Sequence, residues 1–200
     1  MKKQSLIIVF VFVSLALFLG ACHSGKKLAK VENQEKIVLP FSSSNYRTDD
    51  RYFRFVQSHE STDLSLAKTR AIMKAQIGLA GTVEVLLKAV MDNYTGERKI
   101  KLSEMNDKYN EISQLVLYRN LKNTHIIGEE AYVNKADKNY TYWVAIEVNS
   151  NDIYSDLVKG ISSSDKLRQD FDEAKFREIY NEEIRKKEAE QTKIQYNAVQ

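Results

Sequence analysis

The segment "YTYWVAIEV", residues 140–148, constrains the fold of this chain more than any other stretch. Its β-branched and aromatic residues favour a strand. Alternate residues from Tyr140 to Val148 fall on one face of that strand, and Trp143 and Ala145 fall on the other. Because a strand that is apolar on both faces has to be covered on both, we expect it at the centre of a sheet.

Two further strands are predicted. "RYFRFVQSH", residues 51–59, alternates in the manner of a strand. From about Asn123 the period again becomes two, which places His125 and Glu129 on one side of a strand and Gly128 on the other. "NKADKN" then marks the turn of a hairpin that leads into residues 140–148.

A long helix is predicted between the first strand and the hairpin. It carries small residues at helical spacing, which let a helix lie close against a sheet: Ala67, Ala71, Ala75 and Gly78. Gly78 and Gly81 leave open whether this is one helix or two helices with a bend. Asn93 to Gly96 is expected to close it.

Three more helices complete the predicted order. One has a buried stripe through Tyr109 and Val116; a short one is capped by Asn151 or Asp152, and a longer one by Ser164 or Asp165. The order strand, long helix, helix, hairpin, helix indicates an α+β fold, with a small antiparallel sheet packed on one side by helices.

The N-terminus has the order of a secretory signal peptide, residues 1–21. Lys2 and Lys3 precede an apolar run from Leu6 to Leu19, which is too short to cross a bilayer comfortably. Small residues and then Cys22 follow this run. The alternative interpretation is an uncleaved anchor with an incidental cysteine.

Leu19-Gly20-Ala21-Cys22 resembles the lipobox of bacterial lipoproteins. The resemblance implies cleavage before Cys22, a diacylglycerol on its thiol and a fatty acid such as palmitate on the new N-terminus. Two or three acyl chains hold a protein stably on a membrane. Since His23 rather than Asp follows, the resemblance favours the outer membrane, facing the periplasm. Cys22 is the one cysteine of the chain, so no internal disulfide is expected.

Four segments are therefore predicted: the signal peptide 1–21, an acylated flexible tether 22–50, a domain 51–185 and a charged helical tail 186–200. The chain has 30 basic and 27 acidic side chains, and Lys2 and Lys3 leave with the signal, so 28 basic side chains remain against 27 acidic ones. This balance predicts no nucleic-acid partner.

Three stretches together resemble the LPP20-type bacterial lipoprotein family, especially its Bacteroidetes members: "RYFRFVQSHESTDLSLAKTRAIMKAQIGLAG", "IIGEEAYVNKADKNYTYWVAIEV" and "DEAKFREIYNEEI". The resemblance covers about residues 50–185. It implies the α+β fold and brings no catalytic residues. Related domains in flagellar assembly lipoproteins are structural or adaptor pieces, which is an argument by analogy of fold.

Side chains with catalytic or metal-binding chemistry are sparse. His23, His59 and His125 have no His or Cys at ligand spacing, so no metal or cofactor is predicted. Glu129 and Glu130 are neighbours that point apart on a strand. Glu147 lies on the Trp143 face and is expected to pair with a Lys or Arg from a helix or to lie in water.

The leading hypothesis is a non-catalytic, lipid-anchored envelope protein that binds other envelope proteins. Tyr140, Tyr142 and Trp143 either form a recognition surface or are half-buried strand aromatics. One alternative is a periplasmic enzyme acting on envelope glycans, which would need an acid/base pair assembled across elements, and His125, Glu129, Glu130 and Glu147 are the residues to test for it. Another is a carrier of a small apolar ligand, which would need a sizeable cavity.

Overall fold

A computed structural model of the chain describes residues 37–98 and 103–199, and for residues 98, 103–106 and 191–199 it describes the backbone alone. Residues Ile37–Val199 form one compact unit. The predicted signal peptide, Cys22 and the first part of the predicted tether lie outside the described residues. None of the helices within the described ranges is long and apolar enough to cross a membrane.

Within those ranges, three strands and five helices follow a 3-10 turn at Ser44–Tyr46. In chain order they are β1 (Tyr52–Ser61), α1 (Leu64–Arg98), α2 (Ser103–Leu121), β2 (His125–Val133), β3 (Tyr140–Asn149), α3 (Ser150–Ser162), α4 (Asp165–Arg168) and α5 (Glu173–Val199). The strands form one antiparallel sheet in the order β1–β3–β2. The predicted α+β class and the central position of β3 are therefore confirmed.

The inner face of the sheet packs against α1. Val144, Ile146 and Val148 of β3 are buried there, next to Phe53 of β1. The small-residue stripe of α1 meets this face, and its three alanines are completely buried: Ala67, Ala71 and Ala75. A Cβ on Gly78 would lie 2.3 Å from Cε1 of Phe55 in β1. The helix can lie this close to the sheet because these side chains are small or absent.

Helix α1 runs without interruption for 35 residues, so the chain forms one helix and the expected closure at Asn93 to Gly96 is wrong. Packing explains the difference. Tyr94 and Thr95 are buried, and the Thr95 hydroxyl donates to the carbonyl of Met91 within the helix. The apolar contacts of this last section outweigh the low helix propensity of its Asn and Gly residues.

A cluster of aromatic rings joins α1 to the C-terminal helices. Phe176 lies at its centre, with its ring centroid 5.3 Å from that of Tyr94 and 5.4 Å from that of Phe171. The Tyr94 hydroxyl donates to the carbonyl of Asp170 and accepts from the N–H of Asp172. These contacts fix the link between α4 and α5, so the single long helix predicted from Ser164 or Asp165 is wrong and becomes two helices.

Two smaller predictions also need correction. β3 passes directly into α3, and the cap is Asn149, whose side chain accepts from the N–H of Asn151 at 2.8 Å, rather than Asn151 or Asp152. A bulge between Ile126 and Gly128 breaks the predicted alternation of β2. His125 therefore shares a face with Gly128, and Glu129 lies on the opposite, inner face.

The close approach of α1 to β1 predicts opposite effects for two glycines of that helix. Gly78→Ala should lower the free energy of unfolding by about 1–2 kcal/mol, because the added methyl group overlaps the Phe55 ring. Gly81→Ala should raise it by about 0.5–1 kcal/mol, because an added Cβ there meets no atom within 4 Å and alanine favours the helix.

Urea unfolding midpoints of the two variants measure this difference. Gly81→Ala is the matched control, since both substitutions carry the same gain in helix propensity. Equal stabilisation by the two would contradict a close contact between Gly78 and Phe55.

Candidate interaction surface

The outer face of the sheet, opposite α1, is crossed by the segment that precedes β1. A Cβ on Gly128 of β2 would lie 2.7 Å from a ring carbon of Phe41 and 3.1 Å from one of Tyr46. The two rings meet edge to face, with centroids 4.9 Å apart. Ala145, which is opposite Gly128 in the register, is only 1% exposed. Residues 41–50, the end of the predicted tether, thus lie against the domain.

Arg54 of β1 fastens this segment to the sheet. Its Nε donates to Glu147 of β3 at 2.8 Å, and its Nη1 donates to Asp49 at 2.7 Å and to the carbonyl of Arg47 at 2.6 Å. The hydroxyl of Thr48 accepts from the backbone N–H of Arg54 at 3.0 Å. The arginine side chain is 11% exposed, so its bonds to two carboxylates are largely removed from water.

Asp49 accepts several hydrogen bonds of the same network. Its carboxylate also accepts from the backbone N–H groups of Arg51 and Tyr52, each at 2.9 Å. Burial by itself would raise the pKa of this carboxyl. The hydrogen bonds from Arg54 and from the two N–H groups outweigh that effect, so the pKa lies below its usual value.

Beyond the cover provided by Phe41, the outer face is partly open. Ser58, Trp143 and Glu130 form one row across the three strands, and Glu60, Thr141 and Tyr132 form the next. Trp143 is half-buried. Tyr132 is 51% exposed, and its hydroxyl donates a hydrogen bond to Glu130. We call this patch the Trp143 surface: Val56, Ser58, Glu60, Glu130, Tyr132 and Trp143. It is an apolar, aromatic centre with an acidic edge.

A second polar cluster lies on the inner face, where α1 begins. The Tyr142 hydroxyl donates to Glu129, and Lys68 Nζ donates to the same carboxylate at 3.1 Å and lies 5.4 Å from the Tyr142 ring centroid. Hydrogen bonds from Tyr142 and Lys68 lower the pKa of Glu129. This cluster attaches the hairpin to α1, which is a structural role.

The four residues that the enzyme hypothesis needs are not brought together as an acid/base pair. Glu129 is on the inner face, while Glu130, Glu147 and His125 are on the outer face. Glu130 lies opposite Trp143, which is four residues, about 13 Å, from Glu147 along β3. The carboxylates of glycosidases are about 5–10 Å apart. The register does bring His125 opposite Glu147, but Arg54 holds that carboxylate.

The carrier hypothesis needs a cavity large enough for a small ligand, and the aromatic cluster does not contain one. The apolar cavity there has a volume of about 10 Å³, close to that of one water molecule, and is lined by Met91, Tyr94, Tyr109 and Phe176 among others. Clefts of about 520 Å³ lie at the surface, and their lining is mostly charged and polar. Within the described ranges, no group of three or more His, Cys, Asp or Glu side chains could hold a metal ion.

Comparison with models of known protein families gives no match for this chain, and comparison with curated proteins gives no significant similarity.

The sequence identified some of these residues and missed others. Glu147 does lie on the Trp143 face, as predicted, but its partner is Arg54 of the neighbouring strand instead of a cation from a helix. Tyr140, Tyr142 and Trp143 do not form one surface, because Tyr142 is buried on the inner face and Trp143 is on the outer one. The contribution of Asp49 was missed. The signal that could have suggested the Arg54–Glu147 ion pair is that Arg54 has aromatic neighbours on its strand and Glu147 is the one charged residue of 140–148.

The Asp49 network predicts a pH-dependent contribution to stability. Asp49→Asn should lower the free energy of unfolding by about 1–2 kcal/mol at pH 7, because bonds between charged groups are lost. A carboxyl whose pKa is lowered by folding contributes stability above its ordinary value of 3.8 and loses it as the pH falls through the folded value. The difference between the natural chain and the variant should therefore shrink below about pH 4.

Urea unfolding at a series of pH values measures this difference. Asp50→Asn is the control, because the Asp50 side chain is 75% exposed and its contact with Arg51 is 3.9 Å long. A difference for Asp49→Asn that stays constant down to about pH 2 would contradict the assigned role.

Proposed function

We propose that this protein is a lipid-anchored envelope protein of the LPP20 type that has no catalytic role and binds another envelope protein through the Trp143 surface. The observation that supports this proposal is the partly open outer face of the sheet. Its aromatic patch lies beside the segment that leads back to Cys22. Elsewhere on the sheet, Arg54, Glu129 and Glu147 are engaged in structural ion pairs.

The chemistry of the Trp143 surface suits a protein partner. Tryptophan and tyrosine are enriched in protein interfaces because they combine a large apolar area with a polar atom at the edge. Trp143 and Tyr132 supply such rings, and Val56 adds apolar area. Glu60 and Glu130 supply negative charge at the rim, and both side chains are exposed. A partner with an apolar anchor surrounded by Lys or Arg would complement this patch.

The anchor also limits where a partner can be. Ile37 lies fifteen positions after Cys22, and a fully extended chain of that length reaches about 50 Å. With acylation at Cys22, the domain would remain within that distance of the bilayer. The partner would therefore be a membrane protein or a component held close to the membrane.

The anchor is tested by Cys22→Ala in the full chain, expressed in a host that processes lipoproteins. We expect the natural chain to incorporate labelled palmitate and to sediment with the outer membrane. The variant should lose the label and the membrane association. Ser24→Ala, two residues away, is the control and should retain both. Membrane retention and labelling of Cys22→Ala at the level of the natural chain would contradict the anchor.

The surface is tested by placing a photoreactive phenylalanine derivative at position 143 and crosslinking in cells. We expect a discrete adduct of higher mass, which mass spectrometry identifies as an envelope protein. Tyr118 is the control position, because it is an aromatic residue of α2 that is 62% exposed and lies outside the Trp143 surface. Equal adducts at both positions, or none at position 143, would contradict binding through this surface.

A further inference from the structure

The outward side of α1 carries apolar side chains in its first half. Leu66, Met73 and Ile77 are 44%, 55% and 66% exposed, and the small side chain of Ala80 is half-buried. Their spacing of seven, four and three residues places them on one stripe of the helix. The stripe is on the opposite side from the buried alanines that meet the sheet. A surface helix usually presents polar residues here, so this apolar stripe requires an explanation.

Three charged residues and a glycine share this stripe: Arg70, Glu84, Lys88 and Gly81. Arg70 lies between Leu66 and Met73, and Glu84 lies beyond Gly81, at helical spacings that point them to the same side. Both are exposed, and neither forms an ion pair within the described parts of the chain. Gly81 is exposed as well, with no atom within 4 Å of an added Cβ. The stripe is thus basic at Arg70, apolar at Met73 and Ile77, open at Gly81, acidic at Glu84 and basic again at Lys88.

We propose that two copies of this chain associate through α1, packed antiparallel about a two-fold axis at Ile77. In that arrangement residue 77 − n of one copy faces residue 77 + n of the other copy. Ile77 then faces its own equivalent, Met73 faces the open position at Gly81, and Arg70 faces Glu84. Because the axis repeats every contact, the dimer has two Arg70–Glu84 ion pairs, one on either side of an apolar centre.

The stripe is complementary to the same stripe of a second copy that runs in the opposite direction. This complementarity favours a second copy over other binding partners. An isologous interface has to be complementary to itself, and Arg70 and Glu84, placed symmetrically about Ile77, meet that condition. Lys88, at the end of the same stripe, falls opposite Leu66, whose side chain its aliphatic stem can cover. An anionic membrane surface would attract Arg70 and Lys88 but repel Glu84, which lies between them. The contact is one helix wide and about 30 Å long, so it is small and its charges should decide whether it forms.

Charge exchange in the full chain tests the ion pairs. Two tagged copies are produced together, extracted in detergent, and co-purified through one tag. The natural chain should co-purify with itself. Arg70→Glu alone and Glu84→Arg alone should each lower the yield of the second copy about tenfold, because each places like charges opposite one another twice.

Mixing these two variants should restore co-purification, since the glutamate at position 70 of one copy then faces the arginine at position 84 of the other. Carrying both changes on one chain should also restore it. Circular dichroism of each variant is the control that checks whether the fold is retained. Loss of association in the single variants with no recovery in the mixture would overturn the antiparallel arrangement, and no co-purification of the natural chain would overturn the dimer itself.

A disulfide test locates the axis independently. Ile77→Cys should form an intermolecular disulfide on mild oxidation in cells, because the two-fold axis brings position 77 next to its own equivalent. Val85→Cys is the control, as Val85 is 56% exposed on α1 but lies about 80° around the helix from Ile77. Equal crosslinking at both positions would overturn the assigned axis. The dimer does not depend on the anchor, and a crosslink in the natural chain would instead report a free Cys22 thiol.

Discussion

The close contact between α1 and the three-stranded sheet is the interaction on which the rest of the structure depends. A sheet this small has one central strand, and β3 can be stable only if both of its faces are covered. On the inner face, the alanines of α1 and Gly78 let the helix backbone approach the rings and β-branched side chains of β1 and β3. Larger residues on this stripe would move the helix away and leave gaps in the packing of the core.

The outer face of β3 is covered by an irregular segment instead of a helix. Residues 41–50 cross it, with Phe41 and Tyr46 over Gly128, while Arg54 binds Asp49 and Glu147 beneath. A short irregular segment buries less apolar area than a helix, so hydrogen bonds and ion pairs must hold it in position. The cover is also incomplete, and this is why an aromatic patch around Trp143 remains accessible on a domain whose inner face is closely packed.

This division between the two faces supports the proposed function. The inner face and the aromatic cluster around Phe176 form the core that holds the fold, and the charged clusters join elements to one another. The outer face and the outward side of α1 have exposed apolar side chains that contribute little to that core. An adaptor needs such surfaces on a stable support, and the two that we identify lie on different elements. A partner and a second copy could therefore bind at the same time.

Elements whose patterns are local could be predicted from the sequence. The period-two run at 140–148 predicted a central strand and the alanine spacing predicted the close helix, and the structure confirms both. The resemblance of residues 19–22 to a lipobox predicts an anchor at Cys22, which stays a prediction. Tertiary structure decided what depends on contacts between distant residues. The bulge that moves Glu129 to the inner face and the continuation of α1 past Asn93 follow from packing that local propensity does not contain. Long-range contacts also cause the break at 169–172, which the Tyr94 hydroxyl holds in place, and the pairing of Glu147 with Arg54, 93 residues away. Each of these is a choice between local alternatives of similar free energy, and long-range burial and hydrogen bonding supplied the difference.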